Sequence, residues 1–124
     1  MALEYVPQRE TFGAPLSTRQ SIQWMLVDND MDIKQSLWIT LEAAHKAQQG
    51  EEFRKEAAMA KLAATEAGGR VVDRCMQMYG GLGVAKDLPF ERWFREMRIR
   101  RIGEGPSEVQ RHVIARELLG SSLR

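Results

Sequence analysis

A long stretch without proline or glycine, from Ser17 to Gln49, constrains the fold of this chain more than any other feature. Ser17 or Thr18 suits the N-cap of a helix, and Gly50 suits its end. The apolar residues that recur at helical spacing in this stretch are Ile22, Leu26, Ile33, Leu37, Leu41 and Ala44. The spacing predicts one helix of about 30 residues, longer than most helices of globular proteins.

A second apolar stripe runs along the same predicted helix. Trp24, Met31 and Trp38 recur at heptad spacing, and at about 100° per residue they lie roughly opposite the first stripe. Two opposed apolar faces need two surfaces to pack against. The helix is either central in a larger bundle, or it turns one face to the core and the other to another subunit or domain.

A second helix is predicted from Glu52 to Tyr79, and small residues dominate one of its faces. That face carries Phe53, Ala57, Ala60, Ala64, Ala67, Gly68, Val71, Cys75 and Met78. Small side chains let another helix approach closely. Cys75 is therefore interpreted as a core residue rather than a nucleophile.

Two shorter helices complete the predicted fold. They run from Pro89 to Arg101 and from Pro106 to Leu119, with Pro106 suited to the first helical position and Gly120 to the stop. No segment alternates apolar and polar residues or shows a hairpin turn signal between β-branched runs, so strands are not expected. The predicted fold is all-α, an antiparallel helical bundle in a single domain spanning residues 1–124.

Composition excludes several classes of protein. The chain has 124 residues, 44% of them apolar and 28% charged, with a net charge of +1, whereas nucleic-acid binders are usually more basic. Cys75 has no second cysteine to pair with, and His45 and His112 lack metal-ligand spacing, so neither a disulfide nor a metal site is expected. There is no apolar run for a membrane span and no secretory signal, which makes the cytoplasm the default location.

An arginine cluster follows Pro89 and could bind a phosphate or an acidic partner. Its members are Arg92, Arg95, Arg98, Arg100 and Arg101. Glu91 and Glu96 interrupt the cluster, so a solvated or salt-bridged face is favoured over phosphate contact.

The stretch RRIGEGPSEVQR places Glu104 between two glycines and just before Pro106. Gly103 and Gly105 free the backbone, and Pro106 disfavours helical conformation at the residue before it. Glu104 is therefore presented from a fixed turn near a helix N-terminus, where the dipole favours negative charge or an anionic ligand. From this local pattern alone, a capping carboxylate exposed to water is the simplest interpretation.

Four stretches in the same order and spacing resemble the C-terminal helical domain of the acyl-CoA dehydrogenase family, flavoenzymes that introduce an α,β double bond into acyl-CoA thioesters. They are QRETFGAPL (Gln8 to Leu16), EAAMAKLAATEA (Glu56 to Ala67), MQMYGGLGVAKDLPFERWFREMRI (Met76 to Ile99) and EGPSEVQRHVIARELLG (Glu104 to Gly120). The resemblance implies that Glu104 is the catalytic base that removes the α-proton of the thioester. Such a base must be held still beside the α-carbon in a water-poor site.

The resemblance also assigns substrate contacts. Gly105 matches a position whose backbone touches the substrate in relatives. Gly103 stands where relatives often have an aromatic residue, which implies a wider acyl pocket and a branched, cyclic or otherwise bulky acyl group.

FAD contacts follow from the resemblance in three groups. Arg9, Glu10 and Thr11 match the segment whose arginine reaches the FAD pyrophosphate across a subunit boundary, and Phe12 matches an aromatic residue that packs on the cofactor or in the core. The other implied contacts are Arg19 and Gln20; Gln77, Met78, Tyr79, Gly80 and Gly81, where bare backbone approaches the cofactor; and Pro106, Ser107 and Glu108.

Full family members also carry an N-terminal helical domain and a middle β-domain, and neither is recognisable here. The chain is expected to be a fragment whose first bundle helix is truncated and which is inactive alone. The resemblance implies a dimer or tetramer, an acyl-CoA substrate and an electron-transfer flavoprotein as acceptor. The alternative is a non-catalytic helical self-association module, which Pro106 in place of a threonine and Glu108 in place of a frequent glutamine would favour.

Overall fold

A computed structural model describes residues 1–120, and it confirms the predicted all-α bundle. The last four residues of the predicted domain, 121–124, lie outside the described residues. In chain order the elements are α1 (Ala2–Tyr5), β1 (Glu10–Thr11), β2 (Ala14–Pro15), a 3₁₀ turn (Leu16–Thr18), α2 (Gln20–Gln49), α3 (Arg54–Tyr79), α4 (Gly81–Val84), α5 (Phe90–Arg100) and α6 (Ser107–Leu119). The long helices α2 and α3 form an antiparallel pair, and α5 and α6 both pack on α3.

The long helix ends as predicted and begins later than predicted. Gly50 terminates α2 in the left-handed conformation, with φ 72°. Neither Ser17 nor Thr18 is the N-cap, because both lie in the 3₁₀ turn that follows Pro15. The Thr18 hydroxyl donates to the Pro15 carbonyl at 2.7 Å, and Arg19 occupies the N-cap position without a side-chain cap.

The predicted core stripe of α2 is wrong in part. Ile33, Leu37 and Leu41 are exposed, whereas Asn29 is only 7% exposed. The face that meets α3 is partly polar: Arg70 and Arg74 of α3 both donate to the Asp32 carboxylate, which lowers its pKa, chiefly through the Arg70 hydrogen bond. Paired charges and a hydrogen-bonded amide can occupy a helix interface that the apolar pattern alone would assign elsewhere.

The second stripe of α2 faces solvent in this chain. Trp24 is 61% exposed and Trp38 is 70% exposed, and Met31 between them is exposed as well. Together with the exposed residues of the first stripe, they leave α2 with apolar surface on both flanks of its contact with α3. This surface is of the kind that marks a contact with another subunit or domain.

The small-residue face of α3 packs closely, as predicted. A Cβ built on Gly68 would lie 2.7 Å from the Met97 sulfur of α5. Ala60 and Ala67 are buried, although Phe53 and Ala64 of the predicted face are exposed. Burial raises the pKa of the Cys75 thiol, which agrees with its interpretation as a core residue.

Aromatic side chains pack around the C-terminal end of α3. Tyr5 stacks on Tyr79 with ring centroids 3.9 Å apart, Tyr79 meets Phe90 at 4.6 Å, and Phe90 meets Trp93 edge-on at 5.7 Å. Phe90, and Val6 next to Tyr5 in the sequence, are the most deeply buried large side chains of the described chain. This cluster attaches the N-terminal segment to α3 and α5.

The expectation of no strands is wrong at one place. β1 and β2 pair antiparallel, Glu10 with Pro15 and Thr11 with Ala14, around a two-residue turn. Phe12 and Gly13 form that turn with φ 52° and 74°, the positive values that type I′ hairpin turns require. The signal was missed because each strand is only two residues long and Phe-Gly is not a usual turn pair.

No helix within residues 1–120 is long and apolar enough to cross a membrane.

Candidate active site

The turn between α5 and α6, residues 101–107, carries Glu104 and is called the Glu104 turn below. Glu104 has φ 54° and Gly105 has φ 90°. The sequence predicted unusual backbone conformations at Gly103 and Gly105. Only Gly105 of these two glycines has a positive φ, and the second positive φ in the turn belongs to Glu104 itself. A side-chain-bearing residue in this region costs about 1–2 kcal/mol, so the surrounding structure must hold it there. Glu104 is exposed on this chain.

Side chains from two helices hold the middle of the Glu104 turn. Lys61 of α3 donates its Nζ to the Gly105 carbonyl at 2.8 Å. Gln110 of α6 donates its Nε2 to the same carbonyl at 3.1 Å and to the Glu104 carbonyl at 3.3 Å. A Cβ on Gly105 would lie 2.6 Å from this Nε2. The close approach of Gln110 therefore depends on glycine at position 105.

A single carboxylate of α3 joins the two ends of the same turn. Glu66 accepts a hydrogen bond from Ser107 Oγ at 2.6 Å on one oxygen and pairs with Arg101 Nη2 at 2.9 Å on the other. The pKa of Glu66 is lowered, first by the Ser107 hydrogen bond and then by the one from Arg101. We call the three residues the Glu66 clasp.

Three of the predicted cofactor contacts, Pro106, Ser107 and Glu108, lie at the start of α6. Ser107 is 5% exposed and its hydroxyl is engaged by Glu66. Pro106 is the N-cap of α6, with φ −60° and ψ 164°, and not its first helical residue as predicted. Glu108 is exposed in the first turn of α6.

The hairpin β1–β2 holds the first group of predicted cofactor residues. Arg9, Glu10 and Phe12 are exposed, Phe12 to 99%, and Thr11 is half-buried. Arg19 donates Nη2 to the Thr11 carbonyl at 2.8 Å and to the Phe12 carbonyl at 3.4 Å. This guanidinium therefore supports the hairpin from the start of α2, next to the exposed Gln20.

The double-glycine turn, Gln77 to Gly81, holds the second group. Gly80 ends α3 with φ 59° and ψ −139°, and it is exposed together with Gln77 and Gly81. Met78 and Tyr79 point into the core, and burial raises the pKa of the Tyr79 hydroxyl. Because their side chains are buried, these two predicted contact residues expose little side-chain surface to a ligand.

The structure brings two of these three segments together and separates the third. Tyr5 stacks on Tyr79 and its carbonyl accepts from the Arg9 amide at 3.0 Å, so the base of the hairpin lies beside the double-glycine turn. The Glu104 turn is attached to α3 at Lys61 and Glu66. Glu66 and Tyr79 are 13 positions apart in α3, which is about 20 Å at the rise of an α-helix.

The residues that hold the Glu104 turn were missed by the sequence analysis. Glu66 and Lys61 lie within the stretch EAAMAKLAATEA, but nothing in a helical pattern tells which distant loop a polar side chain reaches. Their partners are 41 and 44 residues away in the chain. Within residues 1–120 there is no group of three or more His, Cys, Asp or Glu side chains placed to hold a metal ion.

Fold and site together define a class: a helical-bundle domain that presents a carboxylate from the turn before its last helix. The chain belongs to the acyl-CoA dehydrogenase family, because the family profile described as "Acyl-CoA dehydrogenase, C-terminal domain" matches residues 1–119.

Known proteins similar to this chain agree with that assignment. The mitochondrial short-chain specific acyl-CoA dehydrogenase of Bos taurus is 44% identical over 120 residues, which are 97% of this chain and 29% of that protein. The structure of butyryl-CoA dehydrogenase from Megasphaera elsdenii matches 95% of this chain and 31% of its own, with 39% identity and a TM-score of 0.92. A chain in a structure described for the electron transferring flavoprotein of Acidaminococcus fermentans matches 97% of this chain and 32% of its own, with 34% identity and a TM-score of 0.93. This chain thus spans about a third of the length of its relatives.

Proposed function

We propose that the chain is the C-terminal helical domain of an FAD-dependent acyl-CoA dehydrogenase, in which Glu104 removes the α-proton of an acyl-CoA thioester. The observation that carries this proposal is the backbone of Glu104: a non-glycine residue at φ 54°, with its carbonyl and the next one bonded to side chains of other helices. A carboxylate held at such a backbone cost is typical of a functional position.

Proton abstraction requires a carboxylate in a fixed position and a site shielded from water, and this chain meets these requirements in part. The Glu104 turn fixes the backbone that carries the carboxylate, and the carboxylic acid formed on proton transfer must be kept from exchanging its proton with bulk water. Glu104 is exposed here, and the chain spans about a third of its relatives. We therefore assign the walls around Glu104 to segments outside this chain, and we expect the chain alone to be inactive.

Members of this family are FAD-dependent, and the exposed groups of the hairpin and the double-glycine turn suit such a cofactor. Arg9 offers a guanidinium for phosphate oxygens, Phe12 an aromatic face, and Gly80 and Gly81 a bare backbone for close approach. FAD, when bound, supplies the hydride acceptor for the β-carbon. Glu10 and Thr11 in the hairpin, and Arg19 and Gln20 just after it, are further proposed contacts. Pro106 and Glu108 are proposed contacts in the other half of the site, at the start of α6, where Ser107 is engaged by Glu66.

Assembly of several copies accounts for the distance between the two halves of the proposed site. About 20 Å of α3 separate the Glu104 turn from the double-glycine turn, so one copy does not place both beside the same small group. The exposed Trp24 and Trp38 of α2 provide an apolar surface for contact between copies. We propose a dimer or tetramer in which copies share flavin sites.

Two finer features of the function are proposed on similarity alone. Gly103 leaves room where an aromatic residue would narrow the acyl pocket, which favours a branched, cyclic or bulky acyl group. An electron-transfer flavoprotein is the proposed acceptor, in line with the Acidaminococcus fermentans structure. A cytoplasmic location stays a prediction, since relatives include a mitochondrial enzyme.

A chimera tests the proposal. In the Bos taurus enzyme, the segment that matches this chain is replaced by residues 1–120, and oxidation of a short-chain acyl-CoA is followed with a dye acceptor. We expect a yellow, active chimera, and a loss in kcat of about 10²- to 10⁴-fold in its Glu104→Gln variant with flavin content unchanged. Glu117→Gln, a substitution of an exposed carboxylate on α6, is the matched control and should keep full activity.

Two outcomes of the same assay would oppose the proposal. A chimera that binds flavin and stays active after Glu104→Gln would remove Glu104 from the chemistry. A chimera that folds without flavin would remove the proposed cofactor contacts. For acyl preference, Gly103→Tyr should shift activity from branched toward straight-chain substrates; an unchanged ratio would oppose the assignment of Gly103.

A second candidate function has its own support in the exposed apolar flanks of α2. A helical module that associates with itself would need this surface and no base. Sedimentation of the isolated chain, with Trp24→Ser/Trp38→Ser as the disrupting variant, measures that association. Association of the chain together with an inactive, flavin-free chimera would favour the module over the enzyme.

A further inference from the structure

Glu66 connects the two ends of the Glu104 turn through one side chain. Arg101 follows the last residue of α5 and Ser107 is the first residue of α6. The two carboxylate oxygens take one partner each, Ser107 Oγ at 2.6 Å and Arg101 Nη2 at 2.9 Å. The backbone repeats this closure, since the Ser107 amide donates to the Arg101 carbonyl at 3.2 Å. The five residues between the two ends therefore form a closed loop on α3.

Closing the loop ends matters because of what lies between them. Glu104 and Gly105 both have positive φ, and a residue with a side chain leaves this region readily when nothing restrains it. Holding the ends of a short loop together reduces the number of conformations that its middle can adopt. Lys61 and Gln110 then fix the carbonyls in the middle.

The clasp residues have few other partners. Ser107 is almost fully buried, so its hydroxyl would lose its hydrogen bond without Glu66. Arg101 already has a buried Nε without a hydrogen-bond partner among the described residues. Losing Glu66 would leave both ends of the loop with unsatisfied polar groups, and the ends would separate toward water.

We propose that Glu66 is a positioning residue for Glu104: by tying Arg101 to Ser107 it keeps the turn between them in the conformation that presents the Glu104 carboxylate. The proposal rests on the proposed function for the role of Glu104. The conformation of the turn is independent of that function and can be measured separately.

Three variants separate positioning from general stability. Glu66→Leu removes both acceptors at similar volume. Glu66→Gln is the conservative variant, because its carbonyl oxygen can accept from Arg101 while its amide donates to Ser107 Oγ. Glu56→Leu is the matched control: Glu56 is a buried carboxylate of the same helix whose partners are Lys46 at 2.8 Å and Lys55 at 3.3 Å, neither of them in the turn.

Backbone ¹⁵N relaxation of the full chain measures the order of the turn. We expect order parameters at Gly103, Glu104 and Gly105 to fall from about 0.85 to below about 0.6 in Glu66→Leu, to recover largely in Glu66→Gln, and to stay at the wild-type level in Glu56→Leu. A turn that remains ordered in Glu66→Leu would overturn the proposal, as would an equal loss of order in Glu56→Leu.

The chimera supplies the second readout and covers the case in which a variant chain folds poorly by itself. Glu66→Leu should lower kcat tenfold or more with KM for acyl-CoA changed less than threefold, and Glu66→Gln should restore most of kcat. An unchanged kcat in Glu66→Leu would overturn the positioning role. If Glu104→Gln leaves the chimera active while Glu66→Leu still disorders the turn, the proposed function fails and the clasp stands.

Discussion

Two turns of this chain share an unusual backbone and differ in what holds it. Phe12 and Glu104 have φ 52° and 54°, and each is followed by a glycine of positive φ. The hairpin that contains Phe12 is closed by its own strands and by Arg19, seven residues away. The Glu104 turn is held by Lys61 and Glu66, whose partners in the turn lie 35 to 44 residues away in the chain. One turn is thus maintained locally and the other by tertiary structure.

The difference indicates how each turn should respond to change. A local hairpin should survive loss of tertiary contacts, whereas the Glu104 turn should report on the packing of α3 against α5 and α6. The proposed base, Glu104, would therefore acquire its geometry only when the bundle is formed.

The largest expected effect distinguishes the two glycines beside Glu104. Gly105→Ala places a Cβ at φ 90° and 2.6 Å from Gln110 Nε2, so it should lower the free energy of unfolding by about 3 kcal/mol, from backbone strain and lost hydrogen bonds. Urea denaturation followed by circular dichroism measures this. Gly103→Ala is the matched control, since its nearest atom is Ile99 O at 3.5 Å, and it should cost less than about 1 kcal/mol. Equal losses would show that Gln110 does not depend on glycine at position 105.

Acid should loosen the Glu104 turn before the hairpin. The Ser107 hydrogen bond holds the pKa of Glu66 below its usual 4.5, so the stabilisation from the clasp is complete above that value and is lost as the pH falls through the lower, folded-state pKa. Arg101, Arg70 and Arg111 are the charged groups that face Glu66. Arg19 stabilises the hairpin by donating to a carbonyl oxygen of the hairpin itself, at Thr11. Because a carbonyl oxygen does not titrate in this range, acid should leave this support in place.

Amide order parameters measured along a pH titration test this expectation. Gly103 and Gly105 should lose order in the acid range while Gly13 keeps it. Global unfolding is distinguished by Glu56, whose pKa is lowered to about 2 by the hydrogen bond from Lys46, so that this pair persists until the pH approaches that value. Simultaneous loss of order at Gly13 and Gly105 would contradict the distinction between local and tertiary support.

Removing the support of the hairpin should have a smaller effect. Arg19→Ala deletes a half-buried hydrogen bond to the Thr11 carbonyl and an exposed one to the Phe12 carbonyl, and should cost about 1 kcal/mol. Order should fall at Phe12 and Gly13 and stay unchanged at Gly105. Arg9→Ala, a substitution of the exposed arginine just before β1, is the control for loss of a positive charge. A loss of order that reached the Glu104 turn would show that the two regions are coupled.

Sequence reasoning predicted the elements better than their contacts. The helices from Ser17, Glu52, Pro89 and Pro106 were confirmed within three residues at either end, because Gly50, Pro89 and Gly120 mark their bounds. The buried face of α2 was assigned incorrectly in part, since the apolar pattern could not show that Asp32 lies half-buried against α3, paired with Arg70 and Arg74. Similarity of the whole chain pointed to Glu104. The Glu66 clasp was not predicted, because a salt bridge between a helix and a distant loop leaves no periodic signal.

The smallest expected effect is a gain in stability at Phe12. Its ring is 99% exposed and contributes no packing within one copy, while its positive φ suits asparagine better than phenylalanine. Phe12→Asn should therefore raise the free energy of unfolding by about 0.5–1 kcal/mol. Urea denaturation measures this, at a protein concentration low enough to keep the chain monomeric. Phe12→Leu keeps the unfavourable backbone and should give no gain. A stabilised Phe12→Asn variant that assembles or binds flavin more weakly would show that the strained backbone is retained for contacts outside the single copy, just as the strained backbone of Glu104 is proposed to be retained for its role as the base. Destabilisation of the monomer by Phe12→Asn would instead mean that the ring packs on its own chain, and the hairpin would then share the tertiary support of the Glu104 turn.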